Sequence, residues 1–432
     1  MANKKTAVAA AVSEVAGTND VTVYIGRFNP FHKGHEFVLK HAIKTSKLVI
    51  LLLGSAGLAR SLKNPFTFAE RHEMISRWLA TQGVPAGTQV VIAPLRDYAY
   101  NNHKWIRNVQ RTVKGIISEV NPTLKDIYVT GSDRDESTWY LKAFPQWKLN
   151  LVSAYRGDLS GDLNATQIRE LLFSSTISPE LAASMASMMP RSTYNFLMEF
   201  IGSPDHTRLQ QWYEQNKAYR DAWSVAPYAP IFTTVDAVIV QSGHILVVER
   251  GAEPGRGLWA LPGGFLNQRE RLKDGAVRET MEETGILLAE GKRAKDITQA
   301  MLKGAIIDME VFDDPDRSMR GRTITHAYLF RLDDTKPLPK VKGQNVPVYD
   351  LAMHFSEEYR RLDAERASSK TPVSRRDQID LRMSEIEREH GKKIIETSKA
   401  FWLPIDEALE RMDMWFEDHH ALIETMLGGR DF

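Results

Sequence analysis

The sequence predicts an α/β protein in two successive domains: an open, mostly parallel sheet covered by helices on both sides, then a second α/β domain that begins with a hairpin. Three observations carry that expectation. Apolar runs of strand length alternate with helical patterns over the first half, the pattern changes after Gly202, and 432 residues exceed the roughly 150 that one domain usually holds. In order, residues 21–25 read as a strand, a Gly/Asn/Pro turn follows, 34–45 read as a helix and 48–53 as a second buried strand, which together make a βαβ unit. Further strands fall at 89–92, 126–130 and 150–153, with helices at 68–79, 105–120 and 192–200. Strands separated by helices pair in parallel, because the crossover brings each strand back in the same direction. Residues 203–227 turn polar and read as a linker with some helix in it, punctuated at its end by Pro227 and Pro230. From Thr233 the run TVDAVIVQSGHILVVER reads as two strands joined at Ser242-Gly243. The first domain is thus expected over 21–202 and the second over 228–432.

Two segments fit neither domain. Residues 1–20 hold lysines ahead of an alanine-rich run broken by Ser13 and Glu14, a poor apolar core for a signal peptide, and are expected to be a disordered tail. Residues 350–397 are dense in charge and helical by propensity, and are expected to form a charged helical insertion. That insertion is either a solvated excursion or a homo-oligomer contact through Leu381, Met383, Ile386 and Ile394.

Composition excludes several classes of function. With 56 Lys plus Arg against 55 Asp plus Glu the formal net charge is +1, which disfavours nucleic acid as a partner bound by bulk charge. Cysteine is absent, which removes disulfides, thiolate zinc sites, iron–sulfur clusters and cysteine nucleophiles and fits a reducing, cytoplasmic setting. No stretch approaches the roughly 18 apolar residues of a membrane-spanning helix, so no membrane partner is expected.

The run IGRFNPFHKGHEFVLKHA sets a turn between a buried strand and a helix, at the carboxyl edge of the predicted sheet, where open α/β folds bind ligands. His32 and His35, three apart at the helix start, can address the same point in space. Unpaired backbone N–H groups and the positive helix end favour an anion there, and Gly34 allows close approach. Such a turn suits a polyphosphate. Nucleotidyl transfer needs no protein nucleophile, since a phosphate can attack the α-phosphorus of ATP directly. It needs alignment and groups that meet developing negative charge. His32, His35, Arg27 and a divalent ion bridging phosphates would supply these.

At these residues the chain resembles the nucleotidyltransferases with the His-x-Gly-His signature, specifically nicotinamide mononucleotide (NMN) adenylyltransferases of the archaeal and bacterial bifunctional type. Matches continue in KNPFTFAERHEMI (63–75), RDYAYNNHKWI (96–106), GSDRDESTWYLKAFPQW (131–147) and LNATQIRELL (163–172), so the resemblance covers about residues 21–200. It implies a Rossmann-like nucleotidyltransferase domain, with Gly26, Arg27, Phe28, Gly34, Thr166 and Arg169 on the phosphates of ATP, and Trp105 and Asp97 on NMN. The family usually has Ile-Ser-Ser-Thr before the arginine. Here Asn164 and Ala165 replace the serines, so only Thr166 and Arg169 carry over. Residue by residue, the plainer alternatives are a helix cap for Thr166, a surface side chain for Arg169 and a core tryptophan for Trp105.

The second constellation is GFLNQRERLKDGAVRETMEETGI from Gly264. Glu279, Glu282 and Glu283 stand at i, i+3 and i+4, so on a helix their carboxylates share a face. Such like charges repel unless hard divalent cations sit among them, as Mg²⁺ does while also binding substrate phosphates. Glu270 and Arg278 could pair and orient the cluster from behind. The spacing is that of the Nudix box, Gly-x5-Glu-x7-Arg-Glu-U-x-Glu-Glu-x-Gly-U with U aliphatic, and its one departure is Thr280 at the first U. The resemblance to Nudix hydrolases covers roughly 230–335 and resumes near 400–427. It implies an α/β/α sandwich that hydrolyses a nucleoside diphosphate linked to another group, with Glu279, Glu282 and Glu283 as metal ligands and Glu417 as a candidate base. The flanking RGAEPGRGLWALPGG and VFDDPDRSMRGRTITHAYLF resemble the Nudix half of bifunctional adenylyltransferase/ADP-ribose pyrophosphatases. Arg317, Arg320 and Arg322 are candidates for the ADP-ribose phosphates, or simply surface-loop arginines.

Taken together, the resemblances imply a bifunctional enzyme using Mg²⁺ or Mn²⁺ in both halves, in the cytoplasm of a bacterial or phage-infected cell. Its partners are ATP and NMN, giving NAD, and ADP-ribose, giving AMP and ribose 5-phosphate. Two alternatives stay open: the same chemistry on other phosphates, with NADH or dinucleoside polyphosphates in the second half, or a nucleotide-sensing regulator. Neither a basic helix-turn-helix nor a damaged box is present to favour the regulator.

Overall fold

In a computed structural model the described residues are 19–84, 89–132, 136–153, 155, 164–174, 178–341, 365 and 399–430. The expected tail lies almost wholly outside them, and the expected insertion does so apart from residue 365. The chain forms two compact units, Met1–Asn216 and Lys217–Phe432.

The first unit holds a five-stranded parallel sheet in the order β3-β2-β1-β4-β5, from β1 (Asn19–Gly26), β2 (Ser46–Leu53), β3 (Val90–Pro94), β4 (Ile127–Gly131) and β5 (Lys148–Leu151). β2, with the sequence SKLVILLL, is apolar on both faces because helices cover both. On one face Val21, Val23, Leu48 and Ile50 pack with Val109 and Val113 of the helix Asn102–Val120 (α3). On the other, Val49 and Leu51 meet Val38 and Leu39 of Lys33–Thr45 (α1) and Ile75 and Leu79 of Phe68–Thr81 (α2). β1 sits between β2 and β4, so the strand order reverses beside it and opens a crevice at its carboxyl end. The fifth strand begins two residues before the expected one. At the sheet edge it leaves Leu149 and Leu151 exposed, so apolarity does not mark its bounds, and Tyr128 is in register with Lys148.

Helices Ala165–Phe173 (α4), Pro179–Met188 (α5), Arg191–Phe200 (α6) and Pro204–Ala222 (α7) follow, gathering Ile168, Met185, Leu197 and Leu209 around Phe66 and Met74. Asn164, not Thr166, caps α4, its side-chain oxygen accepting the Gln167 N–H at 3.0 Å. α7 lies within the stretch expected as a linker and carries the chain from one unit to the next.

The second unit is built on a mixed sheet ordered β10-β11-β6-β7-β12, from β6 (Phe232–Gln241), β7 (His244–Glu249), β10 (Ile306–Phe312), β11 (Thr323–Arg331) and β12 (Lys399–Pro404). The short strands β8 (Trp259–Ala260) and β9 (Gly263–Phe265) pair with β7 and β6. The β6–β7 connection is two residues, Ser242 and Gly243, at φ 48° and 72°, the doubly positive turn that matches strand twist. Val235, Ala237 and Ile239 face Ala276 and Val277 of Leu272–Thr284 (α8) and Leu302 of Ala294–Ala305 (α9). Val238 and Val240 face Ala408 of Ile405–Glu410 (α10) and Leu422 and Ile423 of His419–Leu427 (α11), completing an α/β/α sandwich. Among the described residues no helix is long and apolar enough to cross a membrane.

Candidate functional site

Each unit gathers its charged motif at one place. In the first, β1 ends at Gly26 and the turn leads into α1, whose N-cap is His32. The His32 Nδ1 accepts the Gly34 N–H at 3.1 Å and the His35 Nδ1 accepts the His32 N–H at 3.4 Å. This reciprocal capping stacks the two imidazoles, 3.7 Å between centroids at 24°. With each Nδ1 accepting, a neutral imidazole carries its proton on Nε2. Phe28, at φ 50°, lies 4.7 Å from the His35 ring and fills the space a Gly26 side chain would need, its ring 3.0 Å from where that Cβ would stand.

The turn is fastened from three directions. The Asn29 side chain accepts the Phe66 N–H at 3.2 Å and donates to its carbonyl at 3.5 Å. Arg169, arriving on α4, donates to the Asn29 carbonyl at 2.9 Å and to the Thr166 hydroxyl at 3.0 Å. Burial, then the charge of Arg27, pull its pKa down to about 10. Arg71 on α2, which the sequence reading did not single out, donates to the carbonyls of Arg27 and Gly54, both at 2.6 Å. Its only signal was a place in the quoted 63–75 run.

Asp97, just beyond β3, accepts the Ser55 hydroxyl at 2.6 Å. Trp105 is part-buried: Tyr140 and Phe144 pack on it, and Trp139, 44% exposed, lies 5.7 Å away. The Tyr140 hydroxyl donates to the Ile25 carbonyl, anchoring this aromatic group at the end of β1, and burial pushes its pKa up to about 12. Trp139 was not anticipated.

In the second unit α8 and β9 border a cavity of about 260 Å³, whose lining includes Asp236, Arg250, Gly263, Glu283, Arg320 and Glu417. Glu283 accepts the Gly263 N–H at 3.0 Å, and burial, with Glu279 and Asp236 adding repulsion, raises its pKa to about 7. Burial also raises Glu279, which lies 2.8 Å from Arg278. Arg278 grips both oxygens of Glu270 at 2.8 and 2.9 Å and reaches Glu282 at 3.0 Å. The Glu282 side chain is 60% exposed and directed at that arginine. Glu279 and Glu283 are thus brought together beside β9 while Glu282 faces Arg278, and no ready-made trio of metal-ligating side chains occurs among the described residues. Thr280, in the aliphatic position, is buried with its hydroxyl donating to the Ala276 carbonyl at 2.8 Å.

The arginine run divides. Arg317 is buried in a two-pronged ion pair with Asp418 at 2.9 and 3.0 Å. Arg320 borders the cavity, its guanidinium 5.2 Å from the Phe265 ring centroid. Arg322 binds the Asp313 carbonyl and does not line the cavity. Glu417 is held at φ 47°, accepts the Ser318 hydroxyl at 2.9 Å, and is raised by burial. Asp236, Arg250 and His419 complete the wall and were not read from the sequence. An acid inside the apolar run TVDAVIV was the one available hint.

Two expected results arise here. A Cβ on Gly264 would lie 2.6 Å from the Glu279 carboxylate, so Gly264→Ala displaces the end of that side chain. The expected outcome, read by steady-state kinetics and thermal melts, is about a tenfold or greater loss of this site's activity with a melting temperature within a few degrees. Wild-type activity would show that Glu279 need not stand there.

His419 is buried, its Nδ1 accepts the Leu261 N–H at 2.9 Å, and burial first, with nearby arginines, holds its pKa down to about 3 from 6.5. A group depressed on folding contributes stability in full above its unfolded pKa and loses it as pH falls, here from 6.5 toward 3. Near pH 5 the loss amounts to about 2 kcal/mol. His419→Asn keeps an acceptor but does not titrate, so the drop in unfolding free energy between pH 7 and 5 should shrink in that variant. Equal drops would sink the assignment. Glu283 and Glu417, raised on folding, act with opposite sign in both proteins and cancel from the comparison.

Comparison with known proteins matches residues 23–175 to the Cytidylyltransferase-like family and 231–367 to the NUDIX domain. The nicotinamide/nicotinic acid mononucleotide adenylyltransferase of Acinetobacter baylyi is 34% identical over 194 residues, 45% of this chain and 93% of the relative. The nicotinamide-nucleotide adenylyltransferase of Thermococcus sibiricus is 29% identical over 180 residues, 42% of this chain and 84% of the relative. Among solved structures, a bifunctional NMN adenylyltransferase/ADP ribose pyrophosphatase from Francisella tularensis, complexed with AMP and a manganese ion, is 30% identical with a TM-score of 0.70, covering 95% of this chain and 98% of that one.

Proposed function

The chain belongs to the family of bifunctional NMN adenylyltransferases/ADP-ribose pyrophosphatases, and from that premise we propose that its first unit joins NMN to ATP, giving NAD and pyrophosphate, and its second cleaves ADP-ribose to AMP and ribose 5-phosphate. The observation that supports this most is the stacked His32/His35 pair at the α1 start, in the crevice beside β1.

In the first unit the Nε2–H groups of His32 and His35 and the α1 N-terminus hold the ATP polyphosphate, with Arg27, Thr166 and Arg169 beside them. The NMN phosphate oxygen attacks the α-phosphorus, the new P–O bond forms, and the bond to the β-phosphate breaks to release pyrophosphate. The histidine N–H groups meet the negative charge that grows on the way. The pyridinium ring, a flat cation, suits the Trp105–Trp139 pair, and Asp97, bonded to Ser55 just beyond β3, is the polar group assigned to NMN.

In the second unit the donors suit a divalent cation, magnesium or manganese. Glu279, Glu283 and Asp236 are carboxylates raised by burial, and the repulsion among them is what a shared cation relieves. Glu279 and Glu283 would hold it, with Glu282 joining by releasing Arg278. When bound, the cation neutralises pyrophosphate oxygens and lowers the pKa of the attacking water. Glu417 takes a proton from the attacking water, whose oxygen bonds to one phosphorus as the bond from that phosphorus to the bridging oxygen breaks; the bridging oxygen leaves with the other phosphate, and Arg320 and Arg250 meet the phosphates.

Incubating the chain with Mg²⁺ and either ATP plus NMN or ADP-ribose, and separating products chromatographically, tests both halves. NAD in the first reaction and AMP with ribose 5-phosphate in the second are expected. ADP-ribose left intact while NADH or a dinucleoside polyphosphate is cut would replace the second substrate. Product from nicotinate mononucleotide or phosphopantetheine but not from NMN would replace the first.

A further inference from the structure

We propose that Arg71 is a positioning residue for the ATP polyphosphate: it ties together the loops after β1 and β2 while holding a buried positive charge that is bonded to no carboxylate among the described residues and that the ligand meets. The inference rests on the reading of residues 26–35 as a polyphosphate site.

Arg71 is 1% exposed, and its hydrogen bonds all go to neutral carbonyls: Arg27 and Gly54 through one terminal nitrogen, and Thr67 at 3.2 Å through Nε. The two acids whose charge reaches it are not bonded to it. Asp97 accepts from Ser55, and Glu70 is bound by Arg60 and by the Thr67 cap. Burial lowers the Arg71 pKa to about 10, with Asp97 and Glu70 opposing that shift and Arg27 adding to it. A guanidinium buried without a bonded carboxylate is costly, and two carbonyls could be bridged by a neutral amide at far lower cost.

Arg169, part-buried, adds a second guanidinium bonded to the Asn29 carbonyl and the Thr166 hydroxyl. Two guanidiniums, bonded among the described residues to no carboxylate, therefore back the single turn 27–29, and Arg27 brings a third charge to it. Such a concentration of positive charge on one turn is stabilised by a polyanion, and ATP brings one. The charge also predicts linkage, since the ligand gains affinity from the same charge that burdens the empty fold.

Arg71→Gln keeps amide donors for the carbonyls but removes the charge, whereas Arg71→Lys keeps the charge. Both are assayed in the intact chain, with ADP-ribose hydrolysis as an internal reference for folded protein. Arg71→Gln should raise KM for ATP by about tenfold or more, weaken the salt dependence of that KM, and leave hydrolysis within about twofold. Arg71→Lys should keep KM for ATP within about threefold of wild type. A wild-type KM for ATP in Arg71→Gln overturns the inference. Should Arg71→Gln lose the thermal transition of its first unit, Arg71→Lys decides: a KM raised tenfold there shows that geometry, not charge, is what Arg71 supplies. If wild-type protein makes no dinucleotide from ATP and NMN, it is the reading of the site that fails.

Discussion

Glu283→Gln is expected to lower ADP-ribose hydrolysis by about a thousandfold while adenylyl transfer stays within about twofold of wild type. Glu283 is a part-buried member of the acidic set on α8, pinned by the Gly263 N–H and raised to about 7 by burial and by Glu279 and Asp236. The glutamine retains the shape and an acceptor for Gly263 but not the charge that a cation requires. The loss therefore reads out charge at that atom rather than packing, and about 4 kcal/mol of barrier is the corresponding size. Adding Mn²⁺ in excess should recover part of the activity, because a weakened site still fills at high concentration. Hydrolysis unchanged in Glu283→Gln would remove Glu283 from the cation site.

His35→Ala should do the converse, lowering NAD formation by about a hundred- to a thousandfold and sparing ADP-ribose hydrolysis. The substitution takes away an Nε2–H donor and also the Nδ1 that accepts the His32 N–H, so the stacked partner loses its support at the same time. His35→Gln, whose side-chain oxygen can still accept that N–H, separates the two effects: if it recovers most of the activity, the capping bond mattered more than the imidazole. A variant that silences both activities, or neither, contradicts one site per unit.

Much of both sites is visible in the sequence because their chemistry is local. His32 and His35 are one helical turn apart and Glu279 and Glu283 share a helix face, so spacing brings each of these pairs together, whereas Glu282 turns to Arg278. The Ser242-Gly243 hairpin is equally local. What spacing does not give is the set that topology delivers. Arg71 and Arg169 approach the phosphate turn from different helices, Trp139 reaches Trp105 across the sheet end, and Asp236 joins Glu283 because β9 pairs with β6. Nor could local spacing show that Arg317, Arg320 and Arg322, nearly adjacent in the chain, take different partners. Arg317 pairs with Asp418 at the cavity wall, Arg320 borders the cavity, and Arg322 turns to a loop carbonyl. β10 was not read from the sequence although Ile307, Met309 and Val311 alternate with Asp308 and Glu310, and that apolar face is exposed rather than packed on the core.

The pairings of the two sheets set the order in which the molecule can be completed during synthesis. The first unit has every strand of its sheet once Leu151 has left the ribosome. The second cannot seal β7 until Lys399–Pro404 emerges, some 150 residues after His244–Glu249, and at about 5–20 residues per second that interval lasts on the order of 10–30 s. For most of it, once Leu272–Thr284 has emerged, the acidic segment is present while the β7 edge of its sheet stands open. A nascent chain stalled in that window would carry a finished nucleotidyltransferase unit and an unclosed hydrolase, exposed to chaperones before it can cut anything.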